Sequence, residues 1–208
     1  VAGKMTFDLH NHELASLLND SQTSNQAYAD QHGVQLILEE CPPVQLRVDA
    51  MRLQQVLANF LSNAIKFSPP GAQVRLHSTL HGNRLRISVS DLGPGIPLSF
   101  HPGIFQKFSQ ADASDSRQKG GTGLGLAISK ELIERMSGQI GFDSVEGQGA
   151  TFWCELPVVE SSAVTTRPED SSSPWLLVVE DEPDIAHLLR LLLQRAGYRV
   201  MLAASLNE

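Results

Sequence analysis

Cysteine is scarce in this chain. Among 208 residues only Cys41 and Cys154 occur, far apart, and they form no metal-type or redox spacing. A reducing compartment, the cytoplasm, is therefore expected for this part, even if the full-length protein is anchored in a membrane. Positive charge is also short: 16 Lys and Arg stand against 23 Asp and Glu, a formal net charge of -7. That argues against a broad nucleic-acid or anionic-membrane surface, and no nucleic-acid partner is expected. No apolar run approaches the ~20 residues of a membrane span, and the opening residues lack a signal-peptide pattern, so no membrane contact is expected of this stretch. There is no Walker A sequence, and the glycine run after residue 119 lacks both the spacing and the preceding strand of a Rossmann fingerprint. His10, His32, His77, His81, His101 and His187 make no metal pattern, and no internal repeat occurs. What remains is an ordinary globular composition, 41% hydrophobic and 19% charged, long enough for one sizeable domain and part of another. The chain opens on Val1 and stops at Glu208 in mid-pattern, so a piece of a longer protein is expected.

The pattern is organised around residues 49–70, DAMRLQQVLANFLSNAIKFSPP. Leu53, Val56, Leu57, Phe60, Leu61 and Ala64 recur at three- and four-residue steps and predict one apolar helix face. Gln55, Asn59, Asn63 and Lys66 recur at the same steps on a different face, two carboxamides one turn apart followed by a cation. Pro69, Pro70 and Gly71 stop the helix. A solvated face can hold Gln and Asn by accident. A ligand face is the preferred reading because three further motifs follow in a fixed order.

Around this helix the pattern predicts strands over residues 5–9, 34–38, 46–48, 74–80, 85–90, 139–142 and 150–156, and helices over 13–31 and 122–136. Residues 91–121 are polar and glycine-rich; a loop of that length in a compact domain is usually a functional lid or disordered. Residues 158–174 are rich in Ser, Thr and Pro and read as a linker between domains at 1–157 and 175–208. The last stretch has a strand at 175–179, a helix at 184–196 and a strand at 199–203, the opening of a βαβ unit. The pattern alone says only α+β.

Asp91 ends a strand in the run Asp91-Leu92-Gly93-Pro94-Gly95-Ile96. A carboxylate there can accept a hydrogen bond from the exocyclic amine of adenine, where guanine would present an acceptor oxygen. Gly93 and Gly95 let the backbone approach a flat ring. An ordinary Asp-x-Gly turn is the alternative on these residues alone. Gly120-Gly121-Thr122-Gly123-Leu124-Gly125-Leu126 opens a helix, and bare amides at a helix start suit phosphates; a flexible hinge is the alternative. Phe105-Gln106-Lys107-Phe108 predicts a loop that folds back and packs. Lys107, Arg117 and Lys119 supply positive charge nearby, though each alone also reads as a solvated side chain.

In this order and spacing, residues 59–66, 91–95, 105–108 and 121–125 resemble the N, G1, F and G2 boxes of the catalytic ATP-binding domain of two-component sensor histidine kinases. Residues 147–157 (GQGATFWCELP) resemble that domain's final strand. One box is weakly specific, four in order are highly so, and the resemblance covers residues 5–157. Residues 175–208 resemble the start of a receiver domain through WLLVVEDEP. The whole order resembles a hybrid histidine kinase. The fold this implies is an α/β (α+β) sandwich, a mixed, mainly antiparallel sheet with helices on one face, followed by a truncated βαβ receiver start.

The resemblance also implies ATP and Mg²⁺ as cofactors. Asn63, with Asn59 in support, would hold Mg²⁺ through carboxamide oxygens, which suits an ion that takes a few protein oxygens beside phosphates and water. Lys66 would contact phosphate as a point charge, and Phe67 would pack beside adenine. Asp91 would read the adenine amine, with the Thr151 hydroxyl supporting it directly or through water. Gly93, Gly95, Ile96, Lys107, Phe108, Gly121, Thr122, Gly123, Leu124, Gly125 and Leu126 complete the implied nucleotide-binding set, with Gly121, Gly123 and Gly125 giving a lid its freedom and free amides. Many relatives carry an Arg soon after the F box. Gln110 stands near that place here, so Arg117 is the candidate for γ-phosphate contact and joins Asn63 and Lys66 as a catalytic candidate. In the receiver start, Glu180 and Asp181 would form the Mg²⁺-binding acidic pair, Asp181 the better ligand, with Glu a departure from the commoner Asp-Asp.

The implied partners are a dimerising phosphoacceptor helical hairpin, upstream in a longer chain or in another protein, and a receiver domain or response regulator; a homodimer is expected of the full-length protein. His12-Glu13-Leu14 looks superficially like the acceptor box. It continues with Ala15-Ser16-Leu17 rather than Thr or Ser before Pro, and too little chain separates it from Asn59 to hold a hairpin. The receiver's own acceptor Asp belongs to a third strand beyond these residues. The 34 residues from 175 to 208 fall below the ~40 at which a domain usually stands alone, so they are expected to be mobile or to lean on the first domain through Trp175. Two other readings stay open. One is another ATPase of the same fold, of the gyrase, heat-shock or mismatch-repair type, which relies on a catalytic Glu at or near the place of Asn59. The other is a nucleotide-binding scaffold without transferase activity.

Overall fold

A computed structural model describes residues 6–109, 123–159, 175–179, 189, 193 and 198–203. The chain divides into two units, Val1–Glu160 and Ser161–Glu208. In chain order the first holds β1 (His10–Glu13), α1 (Leu14–Gln31), β2 (Gln35–Leu38), β3 (Gln45–Val48), α2 (Ala50–Phe67), β4 (Gln73–His81), β5 (Arg84–Ser90), α3 (Gly125–Arg135), β6 (Gln139–Ser144) and β7 (Ala150–Val159), with a 3₁₀ turn at Leu98–Gly103.

The strands run in the order β1-β3-β7-β5-β4-β2, with β6 also paired to β7. Only β2 and β4 are parallel, so the sheet is mixed and mainly antiparallel. β7 is long enough to serve two neighbours in succession: β6 pairs residues 150–155 and β3 pairs 158–159, while β5 pairs residues 151–157. Period-2 alternation puts Leu85, Ile87 and Val89 of β5 and Phe152, Cys154 and Leu156 of β7 on one buried face. The opposite face carries Arg86, Trp153 and Glu155. There Arg86 donates to Glu155 at 2.7 Å and lies 3.9 Å over the Trp153 ring, and Trp153 Nε1 donates to Asp143 at 2.9 Å. Gly141 is the register partner of Trp153, and a Cβ there would collide with the indole.

Helix α2 buries Leu53, Val56, Leu57, Phe60, Leu61, Ala64 and Ile65, the apolar stripe expected from the spacing with Ile65 added. The side chain of Asp49 caps it, accepting from the amides of Arg52 and Asp8 at 3.1 Å each. It ends where Ser68 turns extended (φ -73, ψ 144) ahead of Pro69. The middle of α1 buries polar residues. Buried Ser21 Oγ has two acceptors for its one proton, Gln54 Oε1 at 2.5 Å and the Leu17 carbonyl at 3.1 Å; Gln54 Nε2 donates to that carbonyl at 2.7 Å, and Asn25 Nδ2 donates to the Ser21 carbonyl at 2.8 Å. Polar residues thus fill part of the α1–α2 seam because each has a hydrogen-bond partner there.

The strand expected over residues 5–9 lies instead at His10–Glu13. Phe7 and Leu9 pack partly against the core and the Asp8 amide goes to Asp49, so ladder pairing begins only with His10 opposite Val48. His12 consequently sits in a strand paired with Leu46, in keeping with its rejection as a helical-hairpin acceptor. The helix expected over 122–136 is observed as Gly125–Arg135.

In the second unit, β8 (Trp175–Val179) and β9 (Arg199–Ala203) are parallel neighbours, Trp175 opposite Arg199 through Val179 opposite Ala203. A parallel pair requires a crossover; Leu189 and Leu193 are helical, and the Tyr198 amide donates to the Leu193 carbonyl at 3.1 Å. The rest of the helix expected at 184–196 lies outside the described residues.

Asp49→Ala removes a cap and the tie to Asp8 together. It is expected to cost about 1–2 kcal/mol, read as a lower urea midpoint with an unchanged slope in equilibrium unfolding.

Candidate nucleotide site

Asp91 is the first residue beyond β5 and is 9% exposed. Its Oδ1 accepts from the Gly93 amide at 2.8 Å and the Ala150 amide at 3.3 Å, and its own amide donates to the Ala150 carbonyl at 2.9 Å. Burial pushes the carboxyl above its usual 3.8, and the two amides pull it partly back. Oδ2 has no partner among the described residues. Asp91 lines a cavity of about 210 Å³ with Asp143, Ser144, Val145, Gln148, Gly149, Ala150 and Thr151.

The loop after Asp91 is braced on two sides. A Cβ on Gly93 would lie 2.8 Å from the Phe67 carbonyl, so the loop passes directly against the end of α2. Gly95 has φ +71, and a Cβ there would collide with the Val145 carbonyl. The Gly147 amide donates to the Pro94 carbonyl at 2.7 Å and the Ile96 amide to Ser144 Oγ at 2.9 Å, which ties the loop to the β6–β7 turn.

Of the two phenylalanines expected to pack, only Phe105 does. Its ring centroid is 6.0 Å from Phe142, which is 5.9 Å from Phe152, which is 5.8 Å from Phe60 of α2. Phe108 is 74% exposed and left-handed (φ 63). Its backbone rather than its ring is engaged: the amide donates to the Gly123 carbonyl at 2.9 Å, and Gly123 (φ +65) lies against the Phe108 backbone. Residues 108 and 123 are thereby held together.

On α2, Asn59 Nδ2 donates to Ser129 Oγ of α3 at 3.1 Å. Gly125, which opens α3, is packed so tightly on the same carboxamide that a Cβ would collide with Asn59 Oδ1. Asn63 and Lys66 are half-buried further along the stripe, and Lys66 Nζ is 5.1 Å from the centroid of the Phe67 ring, which is partly exposed. Leu124 is the N-cap of α3, Leu126 packs partly against the core, and Lys107 is exposed.

The structure thus joins Asn59 to Gly125, Phe108 to Gly123 and Phe67 to Gly93. It does not bring the α2 side chains into the Asp91 cavity, which they approach through Phe67 and Gly93. Thr151 lines that cavity, but its hydroxyl is paired with Ser90 Oγ at 2.8 Å on the sheet face opposite the core. Of the direct and water-mediated support expected from it, no direct bond to Asp91 is seen, since alternation turns the Thr151 side chain to the Ser90 face; the neighbouring Ala150 amide makes the direct bond. Arg117, Gly121, Thr122, Glu180 and Asp181 lie outside the described residues. Ser129 and Ser144 were not singled out in the sequence. Ser129 was legible in principle, one turn after Gly125 on the same helix face, whereas nothing local marks Ser144.

Residues 48–160, more than half of the chain, match the family described as histidine kinase-, DNA gyrase B-, and HSP90-like ATPase. The chain belongs to this family. Its curated relatives include the circadian input-output histidine kinase CikA of Synechococcus elongatus, 38% identical over 212 residues, covering 96% of this chain and 27% of the relative. Another is the sensor protein GacS of Pseudomonas syringae pv. syringae, 45% identical over 161 residues, covering 74% of this chain and 18% of the relative. Among solved structures, full-length ShkA in complex with AMPPNP is 28% identical with a TM-score of 0.69, covering 97% of this chain and 42% of that one. The catalytic domain of histidine kinase ThkA is 26% identical with a TM-score of 0.63, covering 72% and 95%. The first unit is accordingly an ATP-binding catalytic domain of the sensor histidine kinase type. The chain spans about a fifth to a third of the length of the curated relatives it matches.

Gly125→Ala is expected to displace the Asn59 carboxamide, a movable side-chain end, and so leave the far-ultraviolet spectrum unchanged. Binding of ATP, measured by calorimetry, is expected to weaken about tenfold, as when the support of a ligating group is disturbed.

Proposed function

We propose that this chain is the Mg·ATP-binding catalytic part of a hybrid sensor histidine kinase, with residues 1–157 as catalytic domain, 158–174 as linker and 175–208 as the start of a receiver. It presents the γ-phosphate of ATP to a histidine on a dimerisation hairpin outside these residues, in a cytoplasmic phosphorelay run by a homodimer. The observation that carries this reading is that α2 touches both glycine loops at once, Asn59 against Gly125 and Phe67 against Gly93. One contact is made by the Asn59 carboxamide of the polar stripe and the other by the Phe67 carbonyl at the helix end, each at a glycine; a ligand lying along α2 accounts for both loops closing on the same helix.

The residues fit Mg²⁺ of a particular kind. Among the described residues no group of three or more His, Cys, Asp or Glu could hold a metal, so the protein offers Asn63 and Asn59 as neutral oxygens. Such a donor set suits Mg²⁺ that arrives with phosphates bearing the charge. When bound, the ion would neutralise charge on the phosphates of the substrate. Lys66 adds a point charge to the same end, and Arg117 is assigned to the γ-phosphate. At the other end Asp91 Oδ2 accepts from the adenine amine, Phe67 lies beside the ring, and Gly93 and Gly95 let the loop close against the end of α2 and the β6–β7 turn. Positioning and charge neutralisation suffice for phosphoryl transfer, with no covalent nucleophile in this domain. Glu180 and Asp181 are assigned to the Mg²⁺ site of the receiver.

Calorimetry of ATP with and without Mg²⁺ tests the site. Asn63→Ala is expected to abolish the metal dependence, and Asp91→Ala to weaken binding with or without metal. Added to a cognate hairpin, the chain is expected to yield phosphohistidine; ATP binding with no transfer would mark a scaffold instead. Strong ATP hydrolysis by the chain alone would contradict the need for a hairpin.

The acidity of Asp91 gives a second test. Ionised, Oδ2 can only accept; protonated, it sets a donor against the adenine amine. Because burial raises this carboxyl above 3.8, protonation on acidification sets in at a higher pH than for a solvent-exposed aspartate. ATP affinity of the unsubstituted chain is expected to fall correspondingly early. Titration of the nucleotide itself is common to both proteins, so the difference between the unsubstituted chain and Asp91→Asn isolates this group. That difference should shrink as pH falls through the raised value.

A further inference from the structure

Asn59 can serve a cation only through its carboxamide oxygen, and a free carboxamide presents oxygen and nitrogen about equally. Here one orientation is seen. Nδ2 donates to Ser129 Oγ at 3.1 Å, and the oxygen is the atom turned to the start of α3, where a Cβ on Gly125 would meet Oδ1 before Nδ2. Ser129 is 2% exposed, so water does not compete for its Oγ as acceptor, and its place one turn after Gly125 puts both residues on one helix face.

Resting on the reading that Asn59 helps to hold Mg·ATP, we propose that Ser129 is a positioning residue for metal-dependent nucleotide binding, locking the Asn59 carboxamide so that Oδ1 faces the phosphate end of the site. It acts through Asn59 and touches no ligand itself. The same bond couples α2 to α3, so the orientation of a ligand on one helix depends on where the other begins.

The test is calorimetric titration of ATP into the 208-residue chain, with Mg²⁺ and with chelator. Ser129→Ala deletes the acceptor; Ser129→Cys keeps the volume with a poor acceptor and stands in should the alanine variant not fold; Ser129→Thr keeps the hydroxyl. Alanine and cysteine are expected to lower affinity about tenfold in Mg²⁺, the scale of losing a ligand's supporting bond, and less than twofold in chelator, while threonine retains the metal dependence. In the nucleotide-free protein, the Asn59 side-chain amide protons should exchange faster in Ser129→Ala, a change that loss of ligand contact alone would not produce. Unchanged metal dependence in both the alanine and cysteine variants overturns the proposal. So does an equal loss with and without Mg²⁺, which marks a packing role. If the unsubstituted chain binds ATP with no dependence on Mg²⁺, the assignment of Asn59 and Asn63 fails first, and that failure is seen before any Ser129 variant is made.

Discussion

Burial of one stripe of α2 fixes the rotation of that helix about its own axis. Leu53, Val56, Leu57, Phe60, Leu61, Ala64 and Ile65 are all out of water, and turning the helix by even one residue would expose several of them at roughly 1.5–3 kcal/mol each. With the rotation set, Asn59, Asn63 and Lys66 have no freedom of azimuth. The apolar core therefore positions the polar stripe, although no apolar side chain of α2 belongs to the candidate ligand set apart from Phe67. The cap at Asp49 fixes where the helix begins, and Ser68 before Pro69 fixes where it ends, so the stripe is placed along the axis as well.

The two glycine loops meet α2 under different mechanical conditions. The one after Asp91 is held by the end of β5, by the Ala150 amide and by hydrogen bonds to the β6–β7 turn. It is a rigid extension of the sheet, and its acid is buried enough for desolvation to dominate its acidity. Among the described residues, the one that opens α3 is held by contact with Asn59 and by a backbone bond between Phe108 and Gly123. The proposed base end of the site is thus built into the ladder, and the proposed phosphate end is built from contacts between helix and loop. Phe105 anchors the intervening segment through a run of ring contacts back to Phe60.

Much of this was legible in the residues, and the places where it was not share a cause. The α2 stripes follow from local periodicity, and the structure reproduces them nearly residue for residue. Phe105 and Phe108 look equivalent in sequence, yet one packs and the other is exposed, because Phe108 adopts a left-handed backbone to meet Gly123. The resemblance implies that Thr151 supports Asp91 directly or through water; its parity in β7 turns the hydroxyl to Ser90, and the direct bond to Asp91 comes from a backbone amide that no side-chain reading would select. The first strand was placed several residues early because Phe7 and Leu9 have strand-like composition; whether they pair depends on a capping bond to Asp49, 41 residues away from Asp8.

The residues alone determined the boxes, their order, the two-faced helix and the class of fold, since each depends on short-range spacing or on residue identity. Only the tertiary structure decided which end of the Asn59 carboxamide faces α3, which neighbour completes Asp91 and which phenylalanine is buried. Those outcomes depend on strand register and on how helices contact one another, and both are settled by packing between segments far apart in the chain.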